Sequence, residues 1–110
     1  MKRTEALQRP TALRATAAQL LIVLREHLPE LKQRYQIKSL GLFGSYVRNE
    51  QTEQSDLDIL VEFEQLPGLL GYVDIQETLT NLLHVPVDLV HRPDLRPHLR
   101  ERILAEVVIV

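Results

Sequence analysis

Asp56-Leu57-Asp58-Ile59-Leu60-Val61-Glu62-Phe63 is the most regular stretch of this chain: Leu57, Ile59, Val61 and Phe63 alternate onto one side of an extended backbone, and Asp56 and Asp58 share the other. The apolar side must be buried, so the two carboxylates project together from the opposite face. Upstream, Ile37 to Phe43 is rich in apolar residues and closed by Gly44, which reads as a preceding strand, and Ser45 opens a polar segment, Tyr46 to Ser55. If these strands pair, the reversal between them makes them antiparallel, and Gly44-Ser45 meets Asp56 at one edge. Downstream, Val85 to Val90 reads as a short third strand. There Val87 and Leu89 take the buried side, and Asp88 takes the other, where it can face the same site.

The remaining segments read as helices. Leu13, Ala17, Leu20, Leu24, Leu28 and Leu31 recur at three- and four-residue steps from Thr11 onward, an amphipathic stripe that Pro29 is expected to break or kink. Pro67-Gly68 marks a turn before a helix over Leu69 to Leu83, with Leu70, Val73, Leu79, Leu82 and Leu83 as expected core contacts. Leu95 to Glu106 carries Leu99, Ile103 and Leu104 at helical spacing, with Pro97 in its first turn. Val107 to Val110 reads as a closing strand, a partner-docking segment or a disordered end. A short helix is expected after Ser45. The order gives an α+β (α/β) domain, a small mixed sheet of three or more strands flanked by helices.

The 110 residues fit one domain, 1–110, with 1–10 a flexible start. A hydrophobic fraction of 45% and a charged fraction of 25% belong to an ordinary folded protein. A net charge of −2 lacks the positive field that holds a nucleic-acid backbone, so no direct nucleic-acid partner is expected. Without cysteine, any metal must sit on oxygen or imidazole. The apolar run Ala15 to Leu24 is too short to span a bilayer and stops at Arg25 and Glu26, so a cytoplasmic protein with no membrane partner is expected.

Carboxylates a few ångströms apart repel by roughly 1 kcal/mol per pair in water and several times more where solvent is excluded. An oxygen-only acidic cluster is what Mg²⁺ or Mn²⁺ selects, with substrate phosphates completing the coordination. Gly44 lets a backbone approach a ligand, and Ser45 offers a hydroxyl and an N–H to an anion. Arg48 reads equally as a phosphate contact or as a surface pair with Glu50 or Glu53. His84, His91 and His98 fall seven apart, but the intervening strand denies them a common helical face.

Leu42-Phe43-Gly44-Ser45, ten residues, then Asp56-Leu57-Asp58-Ile59-Leu60-Val61 resembles the glycine-serine, gap, Asp-x-Asp pattern of the DNA polymerase β-type nucleotidyltransferase superfamily. Within it, the chain is similar to the minimal nucleotidyltransferase (MNT) antitoxins, over about Tyr35 to Ile103. Asn49 departs from the glycine that close relatives usually carry between the arginine and Glu50, and asparagine tolerates the same left-handed turn. The resemblance implies two Mg²⁺ ions held by Asp56, Asp58 and Asp88, ATP as substrate at Gly44, Ser45 and Arg48, and in-line attack on its α-phosphate. It also implies a HEPN ribonuclease toxin as partner, neutralised by AMP on a tyrosine, in a hetero-oligomer or with a homodimer left open. A degenerate antitoxin acting by binding alone, or an enzyme modifying a small molecule such as an antibiotic, are the alternatives.

Overall fold

Thr16 starts the first helix among the described residues by a reciprocal cap: its hydroxyl accepts the Gln19 N–H at 3.2 Å, and its own N–H reaches the Gln19 side-chain oxygen at 2.9 Å. The structure, a computed structural model, describes residues 15–110, so the expected contribution of Leu13 and the expected flexible start at 1–10 lie outside the described residues. Helix α1 (Ala17–Tyr35) buries Leu20, Leu24 and Leu31 and ends on Gln36 in the left-handed conformation. It continues through Pro29, so of the expected break or kink the break does not occur. Pro29 and Arg25, whose carbonyl loses its helical partner, both lie on the exposed side, so the chain keeps its path there at the expense of one hydrogen bond.

Strand β1 (Ile37–Phe43) pairs antiparallel with β2 (Leu57–Phe63), as expected, and also with the short β4 (Val108–Ile109). Helix α2 (Leu69–Leu83) carries the chain from β2 back to β3 (Val87–His91), which lies parallel to β2. A parallel pair needs such a crossover, because a tight hairpin only joins antiparallel strands. A single 3₁₀ turn (Arg92–Asp94) leads to α3 (Pro97–Glu106), which begins with Pro97 where proline costs no hydrogen bond. The sheet order is β3-β2-β1-β4. Val107–Val110 therefore supplies a closing edge strand, and Arg25 donates to the Ile109 carbonyl at 3.1 Å.

The sheet separates two cores. Leu57, Ile59 and Val61 of β2 join α1 and α2 on one face, while Leu60 and Phe43 meet Leu95 and Ile103 of the α3 region on the other. In α2 the buried residues are Ile75, Leu79 and Leu83, whereas Leu70 is 85% and Val73 45% exposed. The expected core contacts at Leu70 and Val73 are thus corrected. At 3.6 residues per turn they sit roughly 140° and 200° around the axis from Ile75. Leu24 is fully buried at the centre of the larger core. Leu24→Ala should cost about 2–5 kcal/mol of folding free energy, measured by urea denaturation. Among the described residues, no helix is long and apolar enough to cross a membrane.

Candidate active site

The registers of three strands bring the sequence-marked positions together. Phe43, the last residue of β1, lies opposite Asp58, and Asp58 lies opposite Asp88 on the parallel neighbour. Asp58 and Asp88 therefore project from the same face of the sheet, the face that carries α3. Gly44 follows Phe43 with φ +86°, a conformation that side chains rarely adopt. A Cβ built on Gly44 would overlap the Asp58 carboxylate, lying 3.0 Å from its Cγ, so the missing side chain is what lets that carboxylate lie against the backbone.

Asp58 is half-buried, and burial is the main reason its carboxyl is pushed up to about 6. The charge of Asp88, a hydrogen bond with Asp88 and the charge of Asp56 push the same way, and Arg48 partly opposes them. The site thus holds more negative potential than the protein around it neutralises.

After Gly44 the chain turns tightly. The N–H groups of Val47 and Arg48 both reach the Gly44 carbonyl, at 3.1 and 3.2 Å, and Glu50 N–H reaches the Ser45 carbonyl at 2.8 Å. Asn49 closes the turn at φ 60°, the left-handed geometry for which asparagine substitutes for glycine. The expected short helix after Ser45 does not form: residues at positive φ bracket the segment at both ends and leave only a hydrogen-bonded turn. Ser45 stands at the head of that turn, beside Gly44, where it offers local N–H and hydroxyl groups to an anion without a helix dipole behind them.

Arg48 pairs with Glu50 at 3.0 Å, the surface-pair reading, and with both carboxylate oxygens of Glu106 at 3.1 Å. Both acids hold its guanidinium more firmly protonated than usual. Glu106 also accepts the Gly44 N–H at 2.7 Å. Sequence reasoning missed Glu106. Its one signal was an acid at the last turn of a helix, where the macrodipole disfavours negative charge.

Asp56 sits one residue before β2, exposed, and acts on Asp58 through its charge. Among the described residues, no three histidine, cysteine, aspartate or glutamate side chains are already gathered at metal-ligand spacing. The close pair is Asp58 with Asp88, and Asp56 stands at its rim. The three histidines stay apart: His84 caps α2, His91 ends β3 at 3.2 Å from Asp94, and His98 lies in α3.

Residues 24–110, nearly the whole of this arrangement, match the nucleotidyltransferase domain family. The chain belongs to the nucleotidyltransferase family. This nucleotidyltransferase is 42% identical over 95 residues to protein adenylyltransferase MntA of Thermococcus cleftensis, covering 86% of this chain and 96% of that one. It is 40% identical to a solved structure assigned as a minimal nucleotidyltransferase, with a TM-score of 0.68 over 80% of this chain and 90% of the other. A chain of the solved complex between tri-AMPylated HEPN toxin of Shewanella oneidensis and its MNT antitoxin superposes with a TM-score of 0.59. That likeness covers 82% of this chain and 70% of the other, and at 18% identity it is one of fold.

The donor set fits a divalent cation. Asp56, Asp58 and Asp88 offer hard oxygen ligands only, and their mutual repulsion is only partly offset by the nearby Arg48, which is already shared between two glutamates. The nucleotidyltransferase family as a whole works with nucleoside triphosphate and divalent metal, which is the chemistry such a donor set serves.

Proposed function

We propose that this nucleotidyltransferase is a Mg²⁺-dependent protein adenylyltransferase, an antitoxin that transfers AMP from ATP to a tyrosine of a cognate HEPN ribonuclease toxin and so neutralises it. The observation that carries the reading is the alignment of Phe43, Asp58 and Asp88 across three adjacent strands, with Gly44, next after Phe43, making room for the central carboxylate. The adenylyltransferase name of a 42% identical relative supports protein as the acceptor class.

In this reading Asp56, Asp58 and Asp88 hold two Mg²⁺ ions, with Mn²⁺ able to replace them. Bound there, the metal supplies neutralisation of the triphosphate and of the departing pyrophosphate. Ser45 and Arg48 receive phosphate oxygens, and Gly44 lets the nucleotide approach the backbone. The tyrosine oxygen attacks the α-phosphorus, the bond to the bridging oxygen breaks, and pyrophosphate leaves. The phenolic proton passes to the Asp88 carboxylate, which is exposed at the mouth of the site. The reaction takes place in the cytoplasm within a complex of the two proteins.

Incubation with ATP, Mg²⁺ and a cognate HEPN protein should add one or more AMP masses to that partner, read by mass spectrometry. No mass gain with both proteins folded overturns the reading. The Asp56→Asn, Asp58→Asn double variant should lose toxin neutralisation in cells. Full neutralisation by that variant would instead assign the antitoxin effect to binding alone.

A further inference from the structure

We infer that Glu106 is a positioning residue for nucleotide binding: it holds the turn from Gly44 to Arg48 in the shape that receives phosphate, while Glu50 is the counter-charge that phosphate replaces. The inference rests on the nucleotide site proposed above and adds residues that lie outside its motif.

One Glu106 carboxylate ties both ends of the turn. Its Oε2 accepts the Gly44 N–H at 2.7 Å, and both its oxygens lie 3.1 Å from Arg48 Nη1. The backbone at Gly44 and the guanidinium at Arg48 are therefore fixed relative to one another by a group from a different element, α3. Charge-assisted bonds of this kind are the stronger class of hydrogen bond, and a guanidinium loses less freedom when its plane is already set. Glu106 closes α3, where the unpaired carbonyls of the helix end repel an anion. Its place is accounted for by what it grips, not by what it does for its own helix.

The two glutamates on Arg48 differ in exposure. The Glu106 side chain is 21% exposed and the Glu50 side chain 64%. A surface ion pair such as Arg48 with Glu50 is held weakly and exchanges readily with another anion. Glu106, bonded at three points and largely covered, stays in place while phosphate takes over the Glu50 side of the guanidinium. An opposite arrangement is also definable: Glu106 could be an internal anion that phosphate must expel. The two make opposite predictions for charge removal.

Isothermal titration with ATP in Mg²⁺ separates them. Glu106→Ala should weaken ATP binding about tenfold, the scale of one lost charge-assisted bond. Glu106→Gln keeps an acceptor for the Gly44 N–H and should recover part of that loss. Glu50→Gln removes the same unit of charge and should leave binding equal or tighter. In an Arg48→Ala background, Glu106→Ala should have a smaller effect than in the parent, because part of its action runs through Arg48. A generic loss of structure would lower the thermal midpoint without producing these opposed signs. If Glu106→Ala does not fold, Glu106→Gln against Glu50→Gln carries the test. Tighter or unchanged binding in Glu106→Gln, or equal weakening in both glutamine variants, overturns the inference. Absence of ATP binding by the parent protein overturns the nucleotide-site reading itself.

Discussion

Asp58→Asn should cut adenylyl transfer by at least about a hundredfold and, in EDTA, make the fold more stable above pH 6. The two effects share one cause. Asp58 is squeezed between burial and the charges of Asp88 and Asp56, and its carboxyl is pushed up to about 6 from an ordinary 3.8. Because the folded state raises this pKa, the fold prefers the protonated acid. The favourable contribution is fully present below pH 3.8 and is lost as pH rises through 6, since the unfolded chain releases its proton first. Full conversion at about 1.4 kcal/mol per pKa unit must be discounted for solvent screening of a half-exposed group, leaving about 1–1.5 kcal/mol. Asparagine keeps the shape and carries no charge, so its gain should appear at pH 8 and vanish near pH 4 in denaturation curves. Activity moves the other way. Loss of one preorganised electrostatic partner of a transition state is worth on the order of a hundredfold to a thousandfold, and here the lost group is the central carboxylate of three. A variant that is both inactive and less stable at pH 8 would mean that Asp58 serves the fold instead of the site.

How much of this was legible depended on the range over which each residue acts. The period-two pattern of Leu57, Ile59 and Val61 marks a buried face, and with it the opposite face for Asp58, because alternation is a local property of one strand; Asp56, one residue before β2, lies outside that alternation. Asp88 could be assigned a face in the same way, but not a neighbour. Its position opposite Asp58 depends on the parallel register, which is set when α2 docks through Ile75, Leu79 and Leu83. The phase of that helix was misread at Leu70 and Val73, since a segment with leucines on several sides offers more than one apolar stripe. Asn49 was read correctly because a left-handed residue leaves a chemical signature in the sequence. Glu106 was not, because its partner Gly44 lies 62 positions away and no periodicity links a turn to the end of a distant helix.

Gly44→Ala should be nearly as damaging as loss of a carboxylate, although it adds a single methyl group. Two penalties arise. An alanine at φ +86° takes on left-handed strain of roughly 1–2 kcal/mol. Its Cβ would also occupy space held by the Asp58 carboxylate, so either the acid rotates away from Asp88 or the turn opens and the 2.7 Å bond from the Gly44 N–H to Glu106 is lost. Either movement takes apart the alignment that the proposed reaction needs, and adenylyl transfer should fall about a hundredfold, as misplacement by an ångström does elsewhere. The two penalties can be separated in a double-mutant cycle on stability. Asp58→Ala removes the obstructing oxygens but leaves the backbone angle unchanged, so in that background Gly44→Ala should cost the strain and a residual 3.3 Å contact with the remaining Cβ at 58. A coupling of about 1 kcal/mol or more, with Asp58→Ala relieving Gly44→Ala, identifies contact between carboxylate and turn as the reason for glycine. Strict additivity would leave the backbone angle as the only demand, and the glycine would then say nothing about the acid beside it.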